Sequence, residues 1–127
     1  MLIAACGKNE RQVALDRIKK IKDADSLYLP ENRGKLIDSL IRVYENFIVQ
    51  FPQDSLVEDM LIQTAGFQLV MGRHQGAIKV LDRMTTQFPD GKLAPDVLLM
   101  KGNIYHDQLN QLAEAEKCWK QLVEKFP

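Results

Sequence analysis

Few residues in this chain have the chemistry to do more than fold. There are two cysteines, Cys6 and Cys118, and two histidines, His74 and His106. Scattered over 127 residues, they make neither a disulfide framework nor a cysteine-based zinc site, whose ligands come at paired short spacings. His74 falls in a segment that reads as a loop between helices and His106 near a helix end, so both are expected to be solvated. Cys118 lies inside a helical pattern beside Trp119 and is expected to act as a small apolar residue. Asp90-Gly91-Lys92 is a turn rather than a phosphate loop, because no flanking glycines supply the run of backbone N–H groups that a phosphate needs. Neither a Ser-His-Asp arrangement nor a pair of carboxylates emerges from the spacing. The residue types argue against an enzyme, and no cofactor or metal is expected.

Charge excludes two further classes of partner. Lys+Arg and Asp+Glu both number 17, giving a formal net charge of zero, and the densest basic cluster is only Lys19, Lys20 and Lys22. A nucleic-acid or anionic-membrane footprint needs a far larger basic patch. Hydrophobic residues make up 46% of the chain, enough to rule out disorder. No apolar run approaches the ~20 residues that span a bilayer.

The elements that carry these residues repeat. Phe-Pro occurs at 51–52, 88–89 and 126–127, at spacings of 37 and 38 residues. Upstream of each stands the same ladder: Leu40, Tyr44, Phe47 and Phe51; Ala77, Leu81, Met84 and Phe88; Ala115, Trp119, Leu122 and Phe126. Steps of four, three and four trace one stripe of an α-helix. The intervening segments also align at an offset of 37, pairing Leu56 with Leu93, Asp59 with Asp96, Leu61 with Leu98 and Ala65 with Gly102. The residue that lengthens 37 to 38 is then expected in the loop near Gln108–Leu112, where insertions are tolerated. Ser55 with Glu58 reads as a capping box, Pro95 suits a first helical turn, Gly72 ends a helix, and Pro89-Asp90-Gly91 is a turn. Val13, Leu15, Ile18, Ile21, Leu27 and Leu29 fit one more helix upstream, with Pro30 to Gly34 as a longer connection. The expected fold class is all-α, a right-handed stack of about three antiparallel helix pairs. Its expected divisions are 1–9 as an N-terminal appendage, 10–52 as an atypical first pair, and 53–89 and 90–127 as two regular repeats.

With Ala77, Leu81, Met84 and Pro89, then Ala115, Trp119, Leu122 and Pro127, the second helix of each pair resembles that of a tetratricopeptide repeat. Gly102 and Tyr105 match the small-then-aromatic pair of that family's first helix; Ala65 and Gln68 match half of it, and Leu40 stands where the family prefers a small residue. The repeat of 37 to 38, against 34 in the standard unit, and the Phe-Pro-Asp ending are similar to those of small periplasmic lipoproteins and of the outer-membrane-protein assembly lipoprotein. The resemblance implies a protein partner, peptide or helix, held on a concave face formed by the first helices. Carried over residue by residue, that groove would use Asp59, Ile62, Gly66, Leu69 and Val70, then Asp96, Leu99, Asn103, His106 and Asp107. Its aliphatic centre and acidic edges would suit an amphipathic or basic segment.

In that context Ile3-Ala4-Ala5-Cys6 resembles a lipobox, with Cys6 as the lipid-bearing residue and Gly7 to about Arg11 as a polar tether. Five residues precede Cys6, fewer than the 7–15 apolar residues of a signal peptide, so this reading calls for sequence upstream of Met1. It implies a lipid anchor on the periplasmic side of the cell envelope, at the outer rather than the inner membrane, and work in envelope assembly or upkeep. The alternative is a cytoplasmic adaptor or co-chaperone without lipid. At the other end, Trp119, Leu122, Val123 and Phe126 form a broad apolar stripe, so a longer C-terminal segment such as a capping helix, a dimer mate or a partner is expected to cover it.

Overall fold

The computed structural model describes residues 2–24 and 31–127, with side chains from residue 9 onward. Every element among these residues is an α-helix: α1 (Leu2–Lys22), α2 (Arg33–Gln50), α3 (Val57–Val70), α4 (His74–Gln87), α5 (Ala94–Asp107) and α6 (Leu112–Lys125). The all-α expectation holds, and the chain is tetratricopeptide-like in its helix pattern. Two compact units are present, Met1–Val57 and Glu58–Pro127.

The period of the sequence is visible in the backbone. Phe51, Phe88 and Phe126 each close a helix with nearly the same dihedral angles (φ −129, −130 and −129°; ψ 61, 58 and 65°). Each donates its N–H to the carbonyl four residues back, on Phe47, Met84 and Leu122. The following proline forbids helical geometry at the phenylalanine, so the corner is written into the dipeptide.

In the first unit, α2 buries Ile37, Leu40, Tyr44, Phe47 and Ile48, and α1 buries Ile18. Lys22 Nζ sits 5.4 Å above the Tyr44 ring. Val13 on α1 is exposed. Leu27, Leu29 and Pro30 lie outside the described residues, as does the side chain of Cys6. Two boundaries differ from expectation. Helix α1 starts at Leu2 and takes in Gly7 to Arg11, because one glycine among Lys8, Glu10 and Arg11 does not outweigh good helix formers. Gly34 lies inside α2 rather than in a connection.

The expected Ser55–Glu58 capping box is replaced by a different device. Leu56 N–H donates to Asp54 Oδ1 at 3.0 Å, and Arg11 on α1 grips the same carboxylate, with Nε 2.6 Å from Oδ2 and Nη2 3.3 Å from Oδ1. The Arg11 hydrogen bond holds the Asp54 carboxyl below its ordinary value of 3.8, with help from the Leu56 N–H. A depressed folded-state value means that this contribution to stability is complete above the ordinary value and is lost as the pH falls through the depressed one. Asp54→Asn should therefore lower the urea midpoint at neutral pH, and the gap to the native chain should close as the pH drops below 3.8. A gap that stays constant with pH would show that the carboxylate charge contributes nothing.

In the second unit, α3 ends in a Schellman motif. Gly72 takes φ +70°, its N–H donates to Leu69 at 2.9 Å, and Arg73 N–H donates to Gln68 at 2.8 Å. Residues 71–73 join α3 to α4, while 108–111 join α5 to α6. The second loop is one residue longer and turns at Asn110 (φ 52°), which accounts for the change from 37 to 38. The core of this unit holds Leu61, Ala65, Ala77, Leu81, Met84 and Ala115, all at most 1% exposed. Thr64, also buried, satisfies its hydroxyl on the Met60 carbonyl.

Candidate functional site

All ten groove residues fall on two helices of the second unit, α3 and α5. On α3, Asp59, Ile62, Gly66 and Leu69 are half-buried and Val70 is 61% exposed. On α5, Leu99 is 46% exposed, and Asp96, Asn103, His106 and Asp107 are open to solvent. Val70 and Leu99 are thus exposed aliphatic side chains on the same two helices as the exposed acids Asp96 and Asp107; exposed apolar side chains can seat an apolar group, and acids can steer a basic segment.

Pairing along this surface modifies the acidic edge expected of it. Lys92, just ahead of α5, donates to Asp59 Oδ2 at 3.1 Å, so Asp59 is not a free anion. Asp96 has no ion pair among the described residues. His106 Nδ1 is 2.6 Å from Asp107 Oδ1, and the His106 ring lies 5.6 Å from that of Trp119 on α6. His106 is thus exposed but held between two neighbours. His74 departs from expectation more fully, because it opens α4 and its Nδ1 is buried without a hydrogen-bond partner, as is Gln68 Oε1.

A second concavity was not legible in the sequence. A groove of about 570 Å³ runs between α4, α5 and α6, lined by Met84, Phe88, Ala94, Val97 and Leu98 with Lys125 at its edge. Lys125 is engaged there with the Pro89 carbonyl at 2.6 Å and Asp90 at 3.2 Å. Nearby, Lys101 pairs with Asp82 at 2.6 Å. Burial pushes the Cys118 thiol up, so it stays protonated and poorly nucleophilic. Burial likewise raises the Tyr105 phenol, with Asp82 adding to the effect. Among the described residues, no three His, Cys, Asp or Glu side chains gather as a metal site, and no helix is long and apolar enough to cross a membrane.

The α5–α6 hairpin holds one unusually close contact. Gly102 lies directly beneath Trp119: a Cβ at that position would stand 2.6 Å from Trp119 Cδ1 and closer still to Nε1. A small residue on the first helix that admits a large one from the second is the packing rule of the repeat. Residues 96–127 match the tetratricopeptide repeat family. No curated protein and no solved structure matches the chain. Residues 59–89, offset by 37 to 38, carry the same ladder into α3 and α4. The match at residues 96–127, over the last quarter of the chain, suggests a protein-interaction scaffold.

Proposed function

We propose that the chain is a non-enzymatic scaffold that binds a peptide or helix of another protein along the α3 and α5 surface, and that a lipid on Cys6 holds it at the periplasmic side of the cell envelope. The binding half of the reading is supported by one observation: a tetratricopeptide match covers α5 and α6, and Leu99 on α5, like Val70 on α3, is an exposed aliphatic side chain. The anchoring half is supported by Ile3-Ala4-Ala5-Cys6 alone. Two or more acyl chains would make the attachment durable, since a single chain binds a membrane only reversibly. The scaffold then works by affinity, bringing an envelope protein to the membrane surface without turnover.

One experiment tests both halves. A photo-crosslinking amino acid is placed at Val70 or Leu99, with exposed Lys117 as the control, in cells expressing the natural gene. Discrete adducts with a protein should form from positions 70 and 99 and not from 117. They should sediment with membranes, and Cys6→Ser should move them to the soluble fraction. Equal labelling from all three positions would overturn the binding surface. Soluble adducts with Cys6 intact would overturn the anchor and favour the cytoplasmic adaptor.

A further inference from the structure

The groove of about 570 Å³ lies between successive helix pairs, with α4 on one side and α6 on the other. Its floor is apolar, with Met84 and Phe88 from α4 and its closing corner, and Val97 and Leu98 from α5. On α6 it is bordered by Gln121, Glu124 and Lys125. Val123, which is 69% exposed, stands two positions from both Gln121 and Lys125, about 200° around the helix axis. A further helix stacked on the Val123 side would therefore leave this groove open.

Four charged side chains border the floor: Glu58, Lys101, Glu124 and Lys125. Both lysines are matched by acids outside the lining. Lys101 pairs with Asp82 at 2.6 Å, and Lys125 pairs with Asp90 at 3.2 Å while donating to the Pro89 carbonyl. Neither glutamate has an ion pair among the described residues. Glu58 Oε1 accepts the Leu93 N–H at 3.5 Å, a long contact that leaves most of the carboxylate's acceptor capacity unused. Gly91 makes room for that carboxylate, since a Cβ there would overlap Glu58 Oε1. Glu58 is tied to the turn before α5 through Leu93, and Lys125, next to Glu124, is tied to the same turn through Pro89. Both uncompensated acids thus stand at one end of an apolar floor. We propose that the groove binds a segment of a partner protein that presents an arginine beside a bulky apolar side chain. The apolar side chain rests on Met84 and Val97, and the guanidinium reaches Glu58 and Glu124. Arginine fits better than lysine, because its stem covers apolar surface and its planar fork bonds carboxylates in pairs. The site rests on the reading of the chain as a protein-binding scaffold and adds a surface that excludes Val70 and Leu99.

Met84 lines the floor and buried Met60 does not, so NMR of methionine methyl groups reports on the site. The peptide acetyl-Leu-Phe-Arg-Leu-amide and the same peptide with glutamate in place of arginine are titrated into the full chain, with phenethylamine as a third probe. The expected result is a saturable shift of the Met84 methyl with Met60 unmoved. The arginine peptide should bind about fivefold more tightly than the glutamate peptide, the scale of an exposed ion pair. The double variant Glu58→Gln, Glu124→Gln keeps an acceptor for the Leu93 N–H and should abolish that preference with native circular dichroism. No saturable Met84 shift, or a preference that survives the double variant, would overturn the proposal. Phenethylamine bound as tightly as the arginine peptide would overturn the partner segment in favour of a small hydrophobic amine. Crosslinks from Val70 and Leu99 do not depend on Glu58 or Glu124, so they would persist through failure of this site. Their loss with the Met84 shift retained would instead be failure of the α3 and α5 surface.

Discussion

Gly102→Ala should destabilise the protein by about 2 kcal/mol, the scale of overpacking by one methyl group in a filled site. Helix propensity alone predicts the opposite, since alanine is favoured over glycine by about 1 kcal/mol in a helix interior. The decision between the two rests on the neighbour. The added carbon would lie 2.6 Å from Trp119 Cδ1 and 3.0 Å from Cε2, and an indole is rigid, so the whole ring must leave its place rather than one flexible end. Departure of the ring would also strip His106 of its tilted aromatic neighbour. The same substitution in a Trp119→Ala background meets empty space and should be stabilising by about 1 kcal/mol. A change of sign between backgrounds, read from urea unfolding followed by circular dichroism, isolates the steric contact from every effect on the unfolded chain. Stabilisation in both backgrounds would mean that the indole does not occupy the space over Gly102.

The features legible in advance are those that depend on neighbours in sequence. The ladders of α2, α4 and α6 were readable because a helix puts residues three and four apart on one face, and burial of Leu40, Tyr44, Phe47, Ala77, Leu81 and Met84 follows from that periodicity. The corners were readable because Phe-Pro is a local backbone instruction, and the longer loop at 108–111 because a repeat exposes its own insertions. The misread features depend on the approach of distant residues. Asp54 caps Leu56 while held by Arg11, 43 residues away, and no spacing rule near Ser55 announces it. Glu58 faces the backbone of Leu93 instead of completing a local box. The acidic rim was overstated for the same reason, since Lys92 reaches Asp59 across 33 residues. His74 seemed a loop residue because Gly72 and Arg73 precede it, yet α4 starts at His74 itself. At the candidate site, residue identities came from the repeat register, while the neighbour of His106 came only from the fold.

Leu81→Ala should be strongly damaging to the second unit, lowering stability by about 3 kcal/mol. Leu81 is fully buried in the helix pair that α5 covers, so removal of its isobutyl group leaves a cavity that rigid helices cannot close. Measured against a total stability of about 5–15 kcal/mol for a domain, that loss is large enough to shift the midpoint of unfolding plainly. Leu122→Ala removes the same atoms one repeat later, from the rung that matches Met84. Leu122 is half-buried, so water can fill the space, and about 1 kcal/mol is expected. The contrast between the two leucine truncations measures what full burial of the same side chain contributes. Equal costs of the two truncations, read from urea unfolding followed by circular dichroism, would mean that water does not reach the Leu122 site.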